Sequence, residues 1–79
     1  MNSGDAKKKC GRQLKKLVPH LTPEDRRGAM AQFKISYVTV SRYLQGNVAN
    51  LVLGINLLNY FTSALSNRGR QLNDLLNQG

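Results

Sequence analysis

Few side chains in this 79-residue chain can do covalent or acid–base chemistry. There is one cysteine, Cys10, one histidine, His20, and four acids, Asp5, Glu24, Asp25 and Asp74. No two acids are placed as a general acid–base pair. Glu24 and Asp25 are adjacent, but they follow Thr22-Pro23, a helix start that gives them a structural task. No Ser-His-Asp or Cys-His arrangement can be assembled, and one Cys with one His makes no cysteine-rich metal site. The expectation is a protein that is not an enzyme, holds no metal and uses no cofactor. What the chain has in abundance is positive charge: twelve Lys and Arg against four acids, a net +8. Such a chain is drawn to polyanions, meaning nucleic acid or an anionic membrane surface.

Size and composition narrow this further. Seventy-nine residues make one domain with a small core. Chains this short bury only about 60% of their unfolded surface, so association with a second copy is a common source of stability. The single cysteine rules out a disulfide framework and points to a reducing compartment. No apolar run is long enough to span a bilayer, and no apolar stretch follows the charged N-terminus as in a secretory signal. The expected partner is therefore nucleic acid in the cytoplasm, with no membrane and no small-molecule ligand.

The elements that must position these cations can be read from local signals. Residues 1–9 are polar, contain Ser3-Gly4-Asp5 and end in Lys7, Lys8 and Lys9. They read as a flexible basic arm able to track phosphates. A first helix, overlapping the end of that arm, is expected over Ala6–Val18. Cys10, Leu14, Leu17, Val18 and Leu21 recur along one face, and Pro19 stops the helix. Cys10 is read as a small core residue and His20 as part of a short connection. Thr22 suits an N-cap, Pro23 the first helical position, and Asp25 completes a capping box three residues on. That second helix runs to Gln32 or Phe33, with Ala29, Met30 and Phe33 inward and Arg26 and Arg27 outward. After Lys34-Ile35, Ser36 caps a third helix, Tyr37–Gln45, which Gly46 closes. Ile35, Val40 and Leu44, with Tyr43, point back at the second helix. The opposite face of the third helix, Tyr37, Val38, Thr39, Ser41 and Arg42, is short, polar and free of acids, as suits a helix entering a major groove.

The segment Thr22–Gly46 resembles the helix-turn-helix of lactose-repressor-family headpieces and of phage repressor and Cro-like domains. Ile35-Ser36-Tyr37-Val38-Thr39-Val40-Ser41-Arg42-Tyr43-Leu44 is similar to the V-S-x-x-T-V-S-R run of the former. Gln45-Gly46-Asn47 looks like the L-N-G-K ending of the latter. The resemblance implies an all-α fold: a compact bundle of four to five helices, lambda-repressor-like, with a central helix-turn-helix. It implies that Tyr37, Val38 and Arg42 read bases. Thr39 and Ser41 are added as base or phosphate contacts. Arg26, Arg27, Lys34, Ser36, Asn47, Asn50 and the arm lysines Lys7, Lys8 and Lys9 are assigned to phosphates. The chain departs from the family at Met30, where a small residue is usual, and at Lys34, where glycine is usual. A left-handed Lys34 costs roughly 1 kcal/mol. The alternatives are an altered turn or an outward tilt of the third helix.

The remainder is a fourth helix from about Leu51. Leu51, Ile55, Leu58, Phe61 and Leu65 lie on one side, and it ends near Asn67-Arg68-Gly69 or continues through Leu72, Leu75 and Leu76. Leucines seven apart (51, 58, 65, 72) form a poor zipper, because Gly54 and Arg68 interrupt the seam. Leu51–Leu65 are expected to cover the core. Val52, Leu57, Tyr60 and residues 72–76 are left as surplus apolar surface for pairing two subunits. The expected organisation is an arm (1–9), a helix-turn-helix domain (10–66) and a C-terminal helical extension or tail available for dimerisation (67–79). The function this implies is a homodimeric, sequence-specific double-stranded DNA-binding regulator of transcription, a repressor from a bacterium or phage, associated with the nucleoid. The alternatives are a DNA-binding accessory factor of a mobile element (excisionase- or partition-like), a basic RNA-binding protein, and a module that binds another protein.

Overall fold

A computed structural model describes the backbone of residues 3–77 and the side chains of residues 4–67. Four α-helices follow one another: α1 (Ser3–Leu17), α2 (Pro23–Phe33), α3 (Tyr37–Leu44) and α4 (Leu51–Asn77). A 3₁₀ turn, Val18–His20, joins α1 to α2. The fold is all-α, a small helical bundle with no strand among the described residues. Also among these, no helix is long and apolar enough to cross a membrane.

The helix ends follow their local chemistry. Pro19 lies within the 3₁₀ turn and cannot donate the bond that would continue α1. Thr22 Oγ1 accepts from the Asp25 N–H at 3.2 Å while Asp25 Oδ2 accepts from the Thr22 N–H at 2.9 Å, a reciprocal box that satisfies two free donors. Ser36 Oγ accepts from the Thr39 N–H at 3.2 Å and opens α3. Gly46, at φ +99°, closes it: its N–H donates to the Tyr43 carbonyl and the Asn47 N–H to the Arg42 carbonyl, both at 3.0 Å. Asn50 Oδ1 then accepts from the Leu53 N–H and starts α4.

The core draws on α1, α2, α3, α4 and the loop before α4: Cys10, Leu14, Ala29, Val40, Tyr43, Leu44, Val48, Leu57 and Phe61. Burial pushes the Cys10 thiol up from its ordinary pKa, so it stays protonated and packs as an apolar group. The buried Tyr43 keeps its hydroxyl satisfied by accepting the Asn50 N–H at 2.9 Å. Met30 is half-buried at the edge of this cluster.

Two expectations are corrected. Residues 3–9 are not a free arm, because α1 begins at Ser3. Asp5 in its first turn complements the positive helix end. Ala6 lines an apolar groove with Cys10, Leu51, Ile55 and Leu58. Of the two ends expected for α4 the longer holds, and it continues to Asn77. Second, α4 is rotated relative to the expected face. Leu57 and Phe61 are fully buried, whereas Ile55 is 44% exposed. Gly54 explains the rotation. A Cβ there would lie 2.7 Å from Val48 Cγ1 and 3.1 Å from Cys10 Sγ, so the bare backbone packs inward. Leu57 and Phe61, three and seven residues on, therefore share its face. Tyr60 is likewise half-buried, edge-on to Phe33 (5.8 Å) and Phe61 (5.7 Å), and not free surface. The expected apolar contribution of residues 72–76 lies outside the described side chains.

Candidate nucleic-acid interface

Helices α2 and α3 are joined by three residues, Lys34–Ser36. Lys34 adopts the left-handed conformation (φ 55°, ψ 49°), the geometry for which glycine is usual. The turn is thus kept at a cost of roughly 1 kcal/mol rather than rebuilt. The Lys34 and Ile35 N–H groups both bond the Met30 carbonyl, and Lys34 projects into solvent.

With Val40, Tyr43 and Leu44 in the core, the outward face of α3 centres on Val38, Arg42 and Gln45. Val38 is 57% exposed and Tyr37, at the helix start, 53%. The remaining expected base readers are placed differently. Thr39 is half-buried; its Oγ1 is 3.0 Å from Ser36 Oγ, so both hydroxyls belong first to the helix cap. Ser41 is half-buried and turns to a cleft that it shares with Tyr37, Arg26 and Lys15. In that cleft Arg26 Nη1 donates to Tyr37 Oη at a long 3.5 Å.

The expected phosphate contacts separate into groups. Lys7, Lys8 and Asn47 line a cleft of about 450 Å³ with Arg42, at the C-terminal end of α3. Lys9 does not join them: it borders the apolar groove of Ala6, Cys10, Leu51, Ile55 and Leu58. Arg27 lies beside Thr22, Glu24 and Asp25 at the start of α2, away from the Arg42 cleft. Asn50 carries the cap of α4, which occupies its carbonyl oxygen.

Three residues adjoining α3 were not singled out in the sequence. Gln45 lies on the outward edge of α3, and Arg12 and Lys15 of α1 share a cleft of about 430 Å³ with it, Lys8 and Gly46. The i, i+4 spacing of Lys8 with Arg12 could have marked a common face. Its position beside α3 depends on how the helices pack, which local pattern does not carry.

The three clefts beside α3 are lined by Lys7, Lys8, Arg12, Lys15, Arg26 and Arg42, and by no carboxylate. Such a surface can hold anionic oxygens, and an exposed arginine beside an exposed valine can present two donors next to an apolar contact. No group of three or more His, Cys, Asp and Glu that could hold a metal occurs among the described residues. Comparison with protein-family models, curated proteins and solved structures gives no match.

Proposed function

We propose that this chain is a sequence-specific double-stranded DNA-binding regulator of transcription, acting as a repressor on the nucleoid, with α2, the Lys34–Ser36 turn and α3 forming a helix-turn-helix. Helix α3 enters the major groove. Arg42 donates to a guanine edge, and Val38 meets a thymine methyl. One observation carries the reading: α3 is anchored by capping at both ends and by three buried side chains. Its outward face stays exposed between clefts that contain cations and no acid. A rigid, acid-free helix flanked by positive charge is what base readout between phosphates requires.

A second copy of the chain is the other partner in this proposal. Helix α4 carries an apolar groove with Ala6, Cys10, Leu51, Ile55 and Leu58, beside Val52, which is 69% exposed. Its 27 residues extend about 40 Å, well past Phe61, its last fully buried described side chain. A paired protein reads a two-fold-related site.

Selection from random duplex oligonucleotides tests the reading and supplies the site. Arg42→Ala is expected to lower affinity for that site by about 1–3 kcal/mol while weak, sequence-independent binding survives. Unchanged discrimination in the variant would remove Arg42 from the base-reading set.

A further inference from the structure

Base reading by α3 leaves open how Arg12 and Lys15 of α1, with Lys8, meet the duplex. Lys8, Arg12 and Lys15 are spaced i, i+4, i+7 and share one face of α1. That face is held against α3 by a contact between backbones. Gly11 is buried, and a Cβ on it would overlap the Gly46 carbonyl oxygen, so only glycine lets α1 close on the end of α3. The facing edge of α3 is Tyr37, Ser41 and Gln45, at i, i+4 and i+8.

Between the two helices runs a trough. One end is a cleft of about 530 Å³ lined by the polar Lys15, Arg26, Tyr37 and Ser41 and the apolar Val18, Pro19 and Leu44. The other end is walled by Lys8, Arg12, Lys15 and Gln45. Lys15 and Gln45 line both, so the two clefts adjoin along the trough, and no carboxylate lines either end.

We propose that this trough seats the sugar–phosphate backbone of one strand of the duplex whose groove α3 enters. The inference rests on the DNA-binding reading and extends it to a second helix. Lys8 and Lys15 are seven residues apart, about 10 Å along α1, enough for the pair to meet more than one phosphate of the same strand. The apolar lining suits deoxyribose, and the Ser41 hydroxyl and Gln45 amide can bond phosphate oxygens. Tyr37 and Ser41 then position the protein on the backbone, and base reading narrows to Val38 and Arg42.

The test compares two double variants that lose the same charge from exposed positions. Arg12→Ala/Lys15→Ala removes cations from the trough; Lys9→Ala/Lys16→Ala removes cations outside it. Affinity for duplex DNA is measured across about 50–200 mM salt, with helicity checked by circular dichroism. The trough variant should show a slope of log affinity against log salt shallower by about 2, with equal loss on specific and unrelated duplexes. The control should change by less than half as much. Equal changes in the two variants, or none in the trough variant, overturn the trough while leaving the DNA-binding reading and the Arg42→Ala result intact. No binding of duplex DNA by the unsubstituted chain overturns that reading instead, and the trough with it.

Discussion

Helices α1 and α4 pack on each other, share one core and have opposite surfaces. Helix α1 carries Lys7, Lys8, Lys9, Arg12, Lys15 and Lys16, half of the chain's twelve cations. Helix α4 has no Asp, Glu, Lys or Arg from Leu51 to Asn67, and the uncharged stretch reaches back to Tyr43. Both bury a face against the same cluster, α1 through Cys10 and Leu14, α4 through Leu57 and Phe61. Cohesion is therefore common to the two helices, while charge is dense along α1 and absent from α4 between Leu51 and Asn67. The charged helix borders α3, and the uncharged part of α4 carries the exposed apolar Val52 and Ile55. One bundle in this way keeps a cationic side apart from an exposed apolar side, the separation that the proposed DNA contact and pairing would use, since like charges would repel a second copy placed on α1.

Substitutions can break this comparison. The largest effect is expected on α4: Phe61→Ala should cost about 3–5 kcal/mol, read from chemical denaturation, because a fully buried ring leaves a cavity. Against a total stability of roughly 5–15 kcal/mol that is a large fraction. A similarly large loss from the exposed α1 position Lys16→Ala would contradict the division into cohesion and charge. Next comes the α1–α3 junction. Gly11→Ala should destabilise by about 1–3 kcal/mol, since the added methyl meets backbone that must move. It should also lower duplex affinity in the fraction still folded, by parting the α1 cations from α3. The smallest effect on stability is expected from Val52→Lys on the neutral side, within about 0.5 kcal/mol. Sedimentation should nevertheless show this variant as a monomer at concentrations where the unsubstituted chain is a dimer. Unchanged association would move the dimer contact off this face.

The helix boundaries near α3 were legible because their signals are local. Thr22-Pro23-Glu24-Asp25 start α2, Ser36 starts α3 and Gly46 ends it through bonds spanning three to five residues. The exposure of Tyr37, Val38 and Arg42 followed from the same period that buries Val40, Tyr43 and Leu44. Three assignments were not legible. Ser3-Gly4-Asp5 has weak helix propensity, and α1 packs on α4, which begins more than thirty residues after α1 ends. The inward face of α4 could be read either way while Gly54 counted only as a weak helix former. Ser41 belongs to a cleft whose other wall comes from α1.

By itself, then, the amino-acid sequence determined where the three helices through α3 end, which side of α3 faces out, and that this side is free of acids. Caps and helical period act between residues a few positions apart, so the chain's order is enough. Tertiary structure decided which side of α4 is buried and that α1, through Arg12 and Lys15, stands beside α3. Both depend on backbone passing where glycine has no side chain, at Gly54 and at Gly11 against Gly46. Such contacts join segments far apart in the chain, and their steric fit exists only once the helices have packed.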